Sequence, residues 1–157
     1  MPTSSRFAVA IHILSLLALN REDPMRSEDI AGSVGTNAAV VRRIIGSLVA
    51  AGLVQTRLGH GGGAILARPT TSITLRDVFQ TVEEGEFFAL PHSVPNGVCY
   101  VGHNILPVLG REFARLESMI LSELGKVMLS DVIDQIQSQA GYMCNGNLIF
   151  EPQKAKV

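Results

Sequence analysis

The 157-residue sequence has only two cysteines, Cys99 and Cys144, and no long apolar run. Two cysteines cannot build a disulfide framework, so a reducing cytoplasm is the expected compartment. The most apolar stretch, Phe7 to Leu19, is interrupted by His12 and Ser15 and falls short of the ~20 residues a spanning helix needs. It also lacks the basic start and small-residue cleavage site of a signal peptide, so no membrane partner is expected. Charge is sparse too, at 17% of residues against 46% apolar, which suits one compact domain with a core, or one small domain with an appended element.

The third shortage is local. From Ile30 to Arg76 there is no acidic side chain: every charge is an arginine (Arg42, Arg43, Arg57, Arg68, Arg76), with His60 among them. From Asp77 onward acids outnumber bases by ten to five, and the net charge is −1. A basic block beside an acidic one marks a local polyanion-binding surface. No nucleophile–base–acid set and no pocketed carboxylate pair is present, so no enzymatic activity is expected. His92, Cys99 and His103 fall short of a closed zinc set and match no finger spacing, so no metal is assigned.

Apolar residues at Phe7, Ala10, Ile11, Leu14, Leu17 and Ala18 predict a helix over Arg6 to Leu19 with one buried face. His12 lies near that face and reads as a hydrogen-bonded core histidine. Ser27 is a candidate N-cap for a short helix, Glu28 to Val34, which Gly35 ends by taking a left-handed conformation. Thr36 or Asn37 caps a second helix to about Ala51, with Val41, Ile44, Ile45 and Leu48 inward and Gly52 closing it. Helix, glycine turn and helix make a helix-turn-helix pattern. Ala38, Ala39, Arg42, Arg43 and Ser47 remain on its outer faces, suiting a helix whose N-terminal end enters a DNA groove.

Leu53 to Thr56 and Ala64 to Leu66 read as paired strands around the glycine-rich tip Arg57 to Gly63, a wing. Thr74 caps a helix over Leu75 to Glu83, with Leu75, Val78, Phe79 and Val82 on one face. Gly85 to Val98 reads as a loop. Asn104 is expected to cap a long helix with Pro107 in its first turn. Its stripe, Leu109, Phe113, Leu116, Ile120 and Leu124, is expected to face a partner chain. A last helix, about Asp131 to Gln139, follows Ser130 as cap. The fold class is mainly α with a small β-hairpin wing: a winged helix-turn-helix domain over 1–84, a loop, long dimerisation helix and terminal helix over 85–140, and a tail over 141–157. In that tail Leu148-Ile149-Phe150 is a candidate packing segment, and Cys144 carries no assignment.

The segment SEDIAGSVGTNAAVVRRIIGSLVAAGLVQTRLGHGGGAILARPTTSITLRDVFQTVE, followed by CYVGHNILPVL, resembles the Rrf-two family of bacterial winged-helix regulators up to about Gln139. That family includes iron–sulfur-cluster, nitric-oxide and cysteine-metabolism repressors. The resemblance implies a homodimer with crossed long helices that binds a pseudo-palindromic duplex DNA operator as a repressor. It places the start of the recognition helix on Asn37 to Val41, the arginine turn on Arg42 and Arg43, and the wing on Gly59 to Gly63. The expected DNA-contacting residues are Ser27, Thr36, Asn37, Ala38, Ala39, Arg42, Arg43, Arg57, His60 and Gly61, with Asn37 and Arg42 as base readers.

This chain departs from the family in two places. Leu58 stands where many members carry an arginine before the wing glycine, with Arg57 one step earlier and so facing the other way. Ala64 stands where an aromatic residue often follows the glycines. In the loop before the long helix, Cys99 is alone where cluster-binding members supply three cysteines, so no iron–sulfur cluster is expected. Cys99, near a helix N-terminus with His103 four residues on, is a candidate redox sensor of a small-molecule or oxidant signal; the other reading is an inert thiol. The alternative to a repressor is a dimeric ligand-binding or protein-interaction module that reads little DNA.

Overall fold

The computed structural model describes residues 4–21, 23–85 and 87–140. In order these form α1 (Arg6–Leu19), α2 (Ser27–Val34), α3 (Ala38–Ala50), β1 (Val54–Arg57), β2 (Gly63–Leu66), a 3-10 turn (Thr70–Ser72), α4 (Leu75–Val82), α5 (Tyr100–Leu124) and α6 (Leu129–Ala140). The readings on Cys144 and on Leu148 to Phe150 lie outside the described residues.

α1 is the centre of the core rather than a helix with one buried stripe. Ile13, Ser15 and Leu16 are buried along with Ala10, Leu14, Leu17 and Ala18, while Phe7 and Ile11 are only partly covered. The helix touches α2, α3, α4, α6 and β2. His12 is a correction: it is exposed, with Nε2 3.1 Å from Ser33 Oγ on α2. Local burial against α2 still lowers its pKa, because a partly desolvated imidazolium is disfavoured.

The strands pair antiparallel, with Val54 opposite Leu66 and Arg57 opposite Gly63. The linker between α1 and α2 adds a contact that the sequence pattern does not reveal. Met25 and Ala64 exchange both backbone hydrogen bonds, at 3.0 and 2.8 Å. The approach is so close that a Cβ on Gly63 would lie 2.5 Å from the Met25 carbonyl oxygen, so only glycine fits there.

Three helix starts differ from expectation. Ser27 is the first residue of α2 and does not cap it; Arg26 holds the cap position without a side-chain bond. α5 begins at Tyr100, so Asn104 is inside the helix, its Nδ2 donating to the Tyr100 carbonyl at 2.7 Å, and Pro107 is interior. The earlier start comes from a turn at Asn96. Its Oδ1 accepts from the Val98 amide at 2.9 Å and its carbonyl from the Cys99 amide at 3.2 Å. Gly102 admits that turn, since a Cβ there would meet the Asn96 oxygen at 2.3 Å. α6 begins at Leu129, leaving Ser130 within its first turn; the Asp131 carboxylate accepts from the Met128 amide at 2.8 Å instead. Thr74 does cap α4, reciprocally with Asp77.

After α5 the chain returns to the core. The Leu129 amide donates to the Ile73 carbonyl at 2.8 Å and the Leu75 amide to the Val127 carbonyl at 2.9 Å. Leu129 and Ile133 are buried in the same cluster as α1 and α3. α5 itself, 25 residues and about 37 Å at the usual rise, has no buried residue.

Candidate nucleic-acid interface

The helix-turn-helix is built as its sequence suggests. Gly35 takes φ 75°, and its amide donates to the Ala31 carbonyl at 3.0 Å, ending α2. Asn37 then caps α3, its Oδ1 accepting from the Val40 amide at 2.9 Å. Val41, Ile44, Ile45 and Leu48 are the buried residues of α3, which fixes Asn37, Ala39, Arg42 and Arg43 outside. Thr36, Ala38 and Ser27 are half-buried around the turn.

Two features here bear on recognition. The cap uses one lone pair of the Asn37 amide oxygen, leaving the second lone pair and Nδ2, the two atoms a bidentate adenine contact uses. The two adjacent arginines also diverge. Arg42 forms an ion pair with Glu28 of α2, both side chains being 60% exposed. Arg43 instead borders a hollow of about 300 Å³ shared with Arg6, Ser47, Thr81 and Glu84. Arg6 is a cation that sequence reasoning passed over. It pairs with Glu83 at 3.4 Å, and Glu83 also accepts from the Phe7 amide at 3.1 Å, tying the start of α1 to the end of α4. Its only sequence signal was an arginine at the start of an apolar helix.

At the wing, Arg57, Leu58, His60 and Gly61 are all exposed, and Leu58 is 96% so. The tip from Leu58 to Gly62 lies beyond the last strand pair.

Cys99 stands at the N-cap position of α5 and is exposed. The Gly102 and Val101 backbone amides at the start of α5 hold the thiol below its usual pKa, although the side chain makes no capping hydrogen bond. Along α5, Leu109, Phe113, Ile120 and Leu124 are half-buried and Leu116 is 36% exposed. Phe88, Leu116, Met119, Ile120, Leu124 and Val127 line an almost wholly apolar groove of about 520 Å³.

The Rrf2 (Rrf-two) family model, described as iron-dependent transcriptional regulator, matches residues 3–135. YwnA of Bacillus subtilis (strain 168), named as an HTH-type transcriptional regulator, is 37% identical over 133 residues, covering 85% of this chain and 98% of YwnA. A crystal structure described as that of a DNA binding protein has 36% identity and a TM-score of 0.67, covering 82% of this chain and 99% of that one. IscR of T. potens, 21% identical with a TM-score of 0.67 and covering 88% and 90% of the two chains, shares the fold. Among the described residues the iron in the family description finds no conventional ligand set. Among the described residues no three His, Cys, Asp or Glu side chains are gathered, and Cys99 is the one described thiol.

Proposed function

This chain belongs to the Rrf2 family of transcriptional regulators, and on that premise we propose that it is a cytoplasmic, homodimeric repressor that binds a pseudo-palindromic operator. The observation that carries the reading is α3: capped by Asn37, anchored by four buried aliphatic side chains, and presenting Ala39, Arg42 and Arg43 outward beside an exposed wing. This is the geometry of a recognition helix, with arginines and helix-start amides available to phosphates and base edges. DNA binding is also what the 36%-identical relative is described as doing.

Homodimerisation rests on α5. A helix of 25 residues without a single buried side chain, carrying an apolar groove, does not hold its place by core packing. A second copy of the same stripe, Leu109 to Leu124, would cover it and set the spacing of two recognition helices. The signal enters at the start of that helix, where Cys99 is exposed and its thiolate favoured.

The test is a fluorescence-anisotropy titration of the reduced protein against the duplex upstream of its own gene, with a random duplex of equal length as control. Preference for the upstream duplex of about a thousandfold or more supports a specific repressor. Equal, weak binding to both duplexes overturns it in favour of a ligand-binding or protein-interaction module.

A further inference from the structure

We propose that Leu58 enters the minor groove of bound DNA as an apolar wedge, so that the wing selects for a base step that opens easily. The inference rests on the DNA-binding reading above and concerns how the wing contributes to it.

Leu58 is 96% exposed and is absent from the core, so the fold makes no use of its side chain. It is also the one large apolar side chain on the tip, flanked by exposed Arg57 and His60 in a stretch, Ile30 to Arg76, without a single acid. That charge field complements a phosphate backbone. The turn that presents it is tight and its base is braced. β2 is held to Met25 by two backbone hydrogen bonds, and the tip is tight enough that a Cβ on Gly62 would lie 2.3 Å from the Arg57 carbonyl oxygen.

A cationic side chain inserted into the groove is drawn to narrow, electronegative A-tracts. An uncharged leucine has no such attraction. In the minor groove its available partners are deoxyribose walls and base faces, and apolar side chains placed there unstack a step and bend the duplex. Pyrimidine–purine steps open at least cost, so the wing would favour them without hydrogen-bonding a base. The neighbouring Arg57 and His60 are then left for the two flanking phosphate strands.

The experiment begins with duplexes that the wild-type protein selects from a random library. 2-Aminopurine is placed at successive positions across the selected site, where unstacking raises its fluorescence. The wild type is expected to brighten one position in each half-site. Leu58→Ser, at a position outside the core, should fold normally, lose that signal and bind about tenfold more weakly. Leu58→Phe should keep the signal. Leu58→Arg should bind without it, and with a salt dependence steeper by about one per wing. The wedge is overturned if the wild type brightens no position, or if Leu58→Ser matches the wild type in affinity and fluorescence. Selection of no sequence at all by the wild type would instead overturn the DNA-binding reading, and the wedge with it.

Discussion

The rings of Phe79 on α4 and Phe87 in the following loop stack in parallel, with centroids 4.8 Å apart and planes 2° from each other. Phe7 meets Phe79 edge-on at 5.3 Å, while Phe88 packs against Phe113 of α5 at 5.1 Å. The Phe87 amide donates to Glu117 of α5 at 2.7 Å. Neighbouring loop residues thus tie the winged domain to the long helix. Phe87→Ala is expected to cost about 1–2 kcal/mol, less than a fully buried phenylalanine because the ring is only half-buried. Urea unfolding should show it, with faster amide exchange in the loop.

The Glu28–Arg42 pair sets an arginine of the recognition helix against a carboxylate. Both groups are mostly exposed, so the pair adds little stability, within about 1 kcal/mol. Its larger effect falls on DNA. Glu28→Gln should tighten operator binding several-fold by releasing Arg42, whereas Arg42→Ala should weaken it by about tenfold or more. Anisotropy titrations at two salt concentrations check both; unchanged affinity in Glu28→Gln would mean that the pair does not compete with DNA.

Ser15 Oγ is buried in α1 and has no hydrogen-bond partner among the described residues. Removing an unsatisfied hydroxyl returns its desolvation cost, so Ser15→Ala should stabilise the protein by about 1 kcal/mol. The denaturation midpoint should rise while the slope stays unchanged.

Acid should act in two steps. Burial lowers the His12 pKa from 6.5, so the fold prefers the neutral ring; that contribution is full above 6.5 and is lost as pH falls through the folded value. Burial works to raise the Asp77 carboxyl, but hydrogen bonding with Thr74, together with Arg68 and Arg76, outweighs it and holds the carboxyl below 3.8. Its stabilisation is full above 3.8 and disappears as pH drops through the lowered value. His12→Gln should remove the upper step of a denaturation midpoint-against-pH curve and leave the lower one. Asp77→Asn should do the reverse.

Cys99 should react with iodoacetamide with a midpoint below its ordinary 9.0, because amides at the start of α5 favour the thiolate. The measurement uses a Cys144→Ser background so that one thiol reports. In the same background Cys99→Ser should abolish loss of DNA binding on peroxide treatment; persistent loss would place the signal elsewhere.

Much of the helix-turn-helix was legible because it obeys local rules. Gly35, Asn37 and the Val41, Ile44, Ile45, Leu48 spacing specify turn, cap and buried face within a few residues of each other. The Thr74–Asp77 cap and the wing glycines are local in the same sense. The readings at Asn104 and Ser130 went astray where two local signals competed. Asn96 upstream of α5, and Asp131 within α6, supplied the acceptors first, and Asn104 was absorbed into a helix already begun.

The sequence by itself therefore determined the order of elements, the buried stripe of α3, the basic stretch without acids and the shortage of metal-ligating cysteines. These follow from backbone propensity, apolar period and composition, which act over a few residues or over none. Only the tertiary structure decided that Arg42 pairs with Glu28 while Arg43 borders a hollow it shares with Arg6, and that Met25 braces the wing. It alone placed Leu129 and Ile133 in the core around α1, and left Leu58 fully outside. Those outcomes depend on which surfaces meet when distant segments pack, and no local pattern carries that information.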